Sequence, residues 1–265
     1  MMISADDLWK PIWRKVYWTW KRSQHARPTR VQRHLRRQMA KQDRDCPEFS
    51  ENAAPIAAAV RAHAEAINGD RWNYYSGSLT PSNVSTYEQA LEALMPAARP
   101  VSYLEIGSAG GISMALVGLL LKKRFDDVRL VSVDPYYASG YREGGRGPAE
   151  RELHIEIDKT TKMRAQELYQ RCALRVENIE LPSTQALREL IRKAERFDLI
   201  YIDGLHEGLQ PAIDFGLCVP LLSHRGILML DDHIEWVDVT PIKILCDRHA
   251  TKVAENLKIA AYRLT

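Results

Sequence analysis

Val101-Ser-Tyr-Leu-Glu105-Ile106-Gly107-Ser108-Ala-Gly110-Gly111-Ile112-Ser113 is the stretch whose reading decides the fold. The apolar run from Val101 to Ile106 is too short for a helix and stops at glycine. An apolar periodic segment, Ile112 to Leu121, follows the glycines, so the stretch reads as buried strand, tight turn, helix. In the turn, Gly107, Gly110 and Gly111 let the backbone come close to a ligand, with Ser108 among them as a further cofactor-binding candidate, and the free amides of the next helix favour a negatively charged group. The ligand class expected here is a nucleotide-like cofactor.

The glycine spacing narrows that class. A dinucleotide site wants G-x-G-x-x-G, whereas this turn reads Gly107-x-x-Gly110-Gly111, which disfavours a pyrophosphate and hence a nicotinamide cofactor. Glu105, two residues before the turn, would repel a diphosphate but would receive the ammonium group of an amino-acid-bearing cofactor such as S-adenosylmethionine. Asp134 ends the next apolar run, Val128 to Val133, where a carboxylate is placed to hold two ribose hydroxyls. Further on, Ser183 and Thr184 open a helix beside the expected position of the cofactor's base.

Two later runs deliver acids to the same edge. Phe197 to Ile202 ends in Asp203-Gly204-Leu205-His206, and Gly226 to Leu230 ends in Asp231-Asp232-His233. Asp203, Asp231 and Asp232 would then sit at the ends of neighbouring strands, and acids so close repel unless a cation lies between them. An all-oxygen ligand set points to Mg2+ or another hard divalent ion rather than zinc.

The flanks have a different character. The net charge of +3 hides an arm, Trp9 to Arg44, with 12 Lys and Arg against one acid, Asp43. Read as a helix, its start puts Leu8, Trp9, Ile12, Trp13, Val16, Tyr17 and Trp20 on one face and Lys10, Arg14, Lys21 and Arg22 opposite, an interfacial pattern. That stripe suits an anionic membrane surface, the chain's own body or a partner subunit, including a second copy. Nucleic acid is less favoured, because no binding motif accompanies the charge. A helix from Ala53 to Ile67 ends at Gly69, and Ser85 with Glu88 reads as the capping box of a helix reaching Met95. Between them lies an aromatic loop with Trp72, Tyr74 and Tyr75, and after Asp134 a glycine-rich lid carries Tyr141, Arg142 and Arg146, either substrate contacts or solvated linker. Cys46, Cys172, Cys218 and Cys246 show no C-x-x-C spacing, and no apolar run approaches the ~20 residues that span a bilayer. A reduced cytoplasmic setting is expected, membrane-peripheral if the arm binds lipid.

From about Leu79 to Thr265 the chain resembles the class I S-adenosylmethionine-dependent methyltransferases, and within them the metal-dependent sugar O-methyltransferases of the macrocin and novobiocin type. The family turn G-x-x-x-G-x-S is met by Gly107, Gly111 and Ser113, its second-strand acid by Asp134, its Asp-Gly strand end with a nearby His by Asp203, Gly204 and His206, and its paired acids by Asp231 and Asp232. The resemblance implies an α/β, Rossmann-like, seven-stranded mostly parallel sheet with helices on both faces, occupying residues 101–265, after the basic arm (1–45) and a helical cap (46–100). It implies a Mg2+-dependent O-methyltransferase acting on a sugar or glycan-like hydroxyl, with a metal at Asp203, Asp231 and Asp232, His206 as general base and His233 as runner-up. The alternatives are a metal-independent small-molecule methyltransferase and a non-catalytic nucleotide-binding protein of the same fold.

Overall fold

The computed structural model describes residues 48–69, 76–95, 100–136, 160–206, 208–233 and 238–264, with Arg37, Gln38 and Lys41 before them. The rest of the basic arm, the aromatic loop (Trp72, Tyr74, Tyr75) and the lid (Tyr141, Arg142, Arg146) lie outside the described residues. Among the described residues no helix is long and apolar enough to cross a membrane.

Seven strands form one sheet: β1 (Val101–Ile106), β2 (Val128–Val133), β3 (Val176–Ile179), β4 (Phe197–Ile202), β5 (Leu222–Leu230), β6 (Ala250–Glu255) and β7 (Ala260–Leu264). Their order is β3-β2-β1-β4-β5-β7-β6, with β7 antiparallel to both its neighbours and the first five strands parallel. Every residue of β1 and β4 is buried, as expected for central parallel strands covered on both faces. The expected seven-stranded, mostly parallel architecture is the one observed.

Among the described residues from 48 onward, seven α-helices pack around the sheet: α1 (Ala54–Asn68), α2 (Pro81–Glu92), α3 (Ile112–Arg124), α4 (Thr161–Arg171), α5 (Ser183–Arg192), α6 (Gln210–Cys218) and α7 (Thr240–His249). Because strand side chains alternate, Tyr103, Tyr201, Met229 and Ala261 point to one face and share an apolar cluster with α1 to α4. Leu104, Ile106, Ile200, Ile202, Leu228 and Tyr262 point to the other and pack with α5, α6 and α7. α1 and α2 thus share a core with the sheet. The chain reverses direction across the sheet between β1 and β4, the crevice where open α/β sheets bind ligands.

Three local expectations are corrected. α2 starts at Pro81, with Thr80 as N-cap accepting from the Asn83 amide at 3.3 Å, so Ser85 lies inside the helix. Proline at the first helical turn has its φ already set for a helix, which outweighs the Ser85/Glu88 box. Glu88 instead accepts from Ser50 Oγ at 2.6 Å. β5 begins at Leu222 rather than Gly226, because a bulge between the pairs Phe197–Leu222 and Leu199–Ile227 absorbs the intervening residues, with Arg225 at φ 65°. The end of the chain, Lys258 to Thr265, reads in sequence as the terminal strand, but that strand starts at Ala260 and leaves Lys258 in the β6–β7 turn.

Gly107 has φ 86°, and a Cβ there would fall 2.1 Å from the Asp203 carbonyl oxygen. Gly216, inside α6, has nothing within 4 Å of its would-be Cβ. Gly107→Ala should therefore cost roughly 3 kcal/mol or more of stability through backbone strain and overlap. Gly216→Ala should stabilise by about 0.5 to 1 kcal/mol through helix propensity. Urea denaturation of the two variants should give opposite signs.

Candidate active site

The strands end level with one another. One step beyond them the ladder continues through Asp134 N to Ile179 O (3.2 Å), Gly107 N to Val133 O (2.9 Å), Asp203 N to Ile106 O (2.9 Å) and Asp231 N to Ile202 O (3.0 Å). Asp134, Gly107, Asp203 and Asp231 therefore form a single row across the carboxyl ends of β2, β1, β4 and β5. Sequence reasoning had placed all four at this edge, and the structure brings them together there.

The turn after β1 is held from beneath. Glu105 has no accessible surface; Tyr103 Oη donates to its Oε2 at 2.6 Å and Ser113 Oγ donates to its Oε1 at 2.5 Å. Both carboxylate oxygens are thus engaged by hydroxyls of the chain itself. Glu105 shares the inner face of β1 with Tyr103, so the carboxylate points under the turn and ties it to the first residues of α3. Burial pushes its pKa up to about 7, against the lowering effect of the two hydroxyl donors. Ser108 is buried and accepts from Ser132 Oγ at 2.8 Å. Gly111 has φ 79°, and a Cβ on it would lie 2.7 Å from the Tyr169 ring of α4.

Asp134 clamps two loops. Its Oδ2 accepts from the Ala109 amide at 2.8 Å and its Oδ1 from the Tyr136 amide at 2.7 Å. Ala109 and Tyr136 both take positive φ, 40° and 45°, which these bonds help to hold. Ser183 and Thr184, at the start of α5, accept from Gln210 Nε2 of α6 at 3.0 and 3.2 Å, and the same amide donates to the buried Asp214 at 2.8 Å. Burial raises the Asp214 carboxyl to about 6.

The acids after β4 and β5 form the most charged part of the site. Asp203, His206 and Asp231 offer one ligand atom each within 4.8 Å of one another. His206 stands between two carboxylates, with Nε2 3.7 Å from Asp203 Oδ1 and Nδ1 3.8 Å from Asp232 Oδ2. Tyr201 Oη donates to Asp231 Oδ1 at 2.6 Å and receives a bond from Tyr87 Oη of α2 at 3.3 Å. Lys258 Nζ lies 2.9 Å from Asp231 Oδ2 and 3.4 Å from Asp232 Oδ1. Burial and the neighbouring Asp231 push the Asp203 carboxyl well above the ordinary range. Burial acts on Asp231 in the same sense, but Lys258 and His206 outweigh it and hold that group below the range.

His233 is in a different setting from His206. It is 1 % exposed, and its Nε2 donates to the Asn256 carbonyl at 2.8 Å. Burial lowers its pKa. The ring is anchored through Nε2 to the β6–β7 turn while its Nδ1 is buried without a hydrogen-bond partner, and this enclosed setting removes it from its runner-up role as a base. Sequence reasoning missed Lys258, Tyr201 and Tyr87. A buried tyrosine two residues before a strand-end acid signals Tyr201, since its hydroxyl needs a partner on that side.

The raised Glu105 carboxyl gives a pH test. Between about 4.5 and 7 the folded state holds a proton that the unfolded chain has released, so stability is lost as pH rises through this window. Glu105→Gln removes that dependence. Its stability relative to wild type should rise by about 3 kcal/mol from pH 5 to pH 8, measured by thermal melts across the range. A difference that stays flat with pH would show that Glu105 is ionised throughout.

Comparison with known proteins bears on the whole arrangement. Residues 104–233, from β1 to the end of the acid cluster, match the family described as "Methyltransferase domain". No curated protein sequence matches the chain. Among solved structures, the cofactor-bound Rv0187 from MTB is 19% identical, with a TM-score of 0.52 over 79% of this chain and 89% of that one. The O-methyltransferase from Bacillus cereus in complex with S-adenosylhomocysteine is 17% identical, with a TM-score of 0.50 over 76% of this chain and 90% of that one. The S-adenosylhomocysteine-bound methyltransferase of Podospora anserina is 16% identical, with a TM-score of 0.50 over 91% and 98%. The chain has the Rossmann-like fold of the S-adenosylmethionine-dependent methyltransferases.

Proposed function

We propose that the protein transfers the methyl group of S-adenosylmethionine to a hydroxyl oxygen of a sugar or glycan-like acceptor, with a divalent cation such as Mg2+ held at Asp203 and Asp231. The observation that carries this reading is the row Asp134, Gly107, Asp203, Asp231, which sets a cofactor half and an acid half side by side at one sheet edge. The residues suit both groups. A Cβ on Gly107 or Gly111 would overlap neighbouring atoms, so the turn is bare backbone, and two carboxylates with an imidazole close by form a donor set for a hard cation. The match to a methyltransferase domain and the fold shared with an O-methyltransferase support the reaction class. The sugar acceptor rests on the resemblance at Asp203-Gly204, His206 and Asp231-Asp232.

When bound, the cofactor supplies an electrophilic methyl group and the cation lowers the pKa of the acceptor hydroxyl. Asp134 would hold the ribose, and Ser183 and Thr184 would stand beside the base. His206, whose ring stands between Asp203 and Asp232, takes the hydroxyl proton. Transfer would form the oxygen–methyl bond as the sulfur–methyl bond breaks, leaving S-adenosylhomocysteine. No covalent enzyme intermediate is involved, so positioning supplies much of the acceleration. In a second reading His206 is itself a third ligand, which its place within 4.8 Å of Asp203 and Asp231 favours.

Calorimetry with S-adenosylhomocysteine should show Asp134→Ala binding weaker by roughly 1.5 to 3 kcal/mol, the scale of bonds to a charged acceptor. Unchanged affinity would remove the ribose assignment. Methyl transfer to a panel of glycan acceptors should stop in EDTA and return with Mg2+; full turnover in chelator would sink the metal-assisted mechanism. In the same assay His206→Ala should lower kcat by about 10²- to 10⁴-fold while Mn2+ and S-adenosylhomocysteine binding persist. Loss of Mn2+ binding in that variant would favour the second reading.

A further inference from the structure

We infer that Lys258 is the resident cation of the acid cluster, and that a divalent ion gains the site by displacing its ammonium group from Asp231. The inference rests on the reading of Asp203 and Asp231 as cation-holding groups.

The contested atom is Asp231 Oδ2. Asp231 is 1 % exposed; its Oδ1 accepts from Tyr201 Oη at 2.6 Å, and its Oδ2 faces Lys258 Nζ at 2.9 Å. Lys258 also reaches Asp232 Oδ1 at 3.4 Å, so one ammonium group serves both paired acids. A buried carboxylate needs a counter-charge, and Lys258 provides it without any exogenous ion. An incoming cation that takes Oδ2 competes with a charge already in place.

The main chain under Lys258 is fixed independently of that ion pair. Asn256 Oδ1 accepts from the amides of Lys258 (2.7 Å) and Ile259 (2.6 Å), and Asn256 Nδ2 donates to Asn83 Oδ1 of α2 at 2.8 Å. The His233 amide donates to the Lys258 carbonyl at 3.2 Å, and the His233 ring donates to the Asn256 carbonyl at 2.8 Å. The turn is thereby bound to α2 and to the residue after Asp232. A lysine has a flexible four-carbon stem with a compact charge at its end, so its head can leave Asp231 while this turn stays in place. The device is a tethered cation over an acid cluster, which lowers the cluster's affinity for divalent ions and keeps the acids compensated when no ion is bound.

Mn2+ binding to the whole protein, followed by electron paramagnetic resonance, tests this. Lys258→Met and Lys258→Gln should bind Mn2+ roughly 10- to 100-fold more tightly than wild type, the range expected for removing one competing charge at this distance. Lys258→Arg, which keeps the charge, should stay near wild type. Equal affinity in wild type and the neutral variants would overturn the competition while leaving the metal reading intact. Tighter binding by Lys258→Arg matching that of Lys258→Met would also overturn it, because shape rather than charge would then be responsible. Absence of Mn2+ binding in every protein would overturn the metal reading and the competition with it. If the neutral variants unfold in EDTA, thermal melts decide: recovery of folding on adding Mn2+ supports the inference, and no recovery overturns it.

Discussion

Four backbone hydrogen bonds just past the strand ends set the site, because they bring Asp134, Gly107, Asp203 and Asp231 into one row. With a rise of roughly 3.3 Å per residue, a slip of two residues in any strand would move its acid about 7 Å along the sheet. A slip of one would turn it to the other face. β1 and β4 cannot slip cheaply, since all their residues are buried and their two faces pack against different helices. The chemistry at the edge therefore depends on side chains such as Tyr103 and Leu104 that never reach it. Gly107 adds a second constraint, because its bare α-carbon lets the turn sit against the Asp203 carbonyl.

What could be read in the sequence follows from the range of the interactions involved. β1, β2, β4 and the end of β5 were legible because each is a mainly apolar segment ending at glycine or an acid, and the placement of Asp134, Asp203, Asp231 and Asp232 followed from those ends. The β5 start was not legible, because the bulge near Arg225 depends on pairing with Phe197 and Asp198, partners remote in sequence. Thr80 and Pro81 carried a local signal for the start of α2 that the Ser85/Glu88 pattern obscured. Glu105 was correctly seen as belonging to the turn, but its direction is fixed by alternation with Tyr103 rather than by nearness to the glycines. Lys258 gave no signal at all. It sits in a short turn without periodicity, and its partners Asp231 and Asp232 are 26 and more residues away.

The acids show how a like-charge argument changes once coordinates are available. Repulsion among Asp203, Asp231 and Asp232 demands a cation, and a sequence offers no way of telling an ion from a side chain. In the structure Lys258 meets part of the demand, and the unequal environments of the two strand-end acids show where the balance falls. Asp231, beside Lys258 and Tyr201, is favoured as the carboxylate, whereas Asp203 is pushed toward its protonated form. A cation arriving at Asp203 would reverse that push, since it favours the ionised form of the acid it touches.

The two histidines that follow strand-end acids divide the work by burial. His206 is only partly buried and stands between Asp203 and Asp232, 3.7 and 3.8 Å from their nearest oxygens. His233 is closed in, and its contacts run to the Asn256 and Lys258 carbonyls. Its influence on the site is therefore indirect. By fixing the β6–β7 turn it places the Cα of Lys258, and through Lys258 it sets how the charge on Asp231 is compensated. A histidine chosen from sequence as a second candidate base acts here as a support for the cation opposite the acids, a role visible only once Asn256, Asn83 and Lys258 are seen to meet.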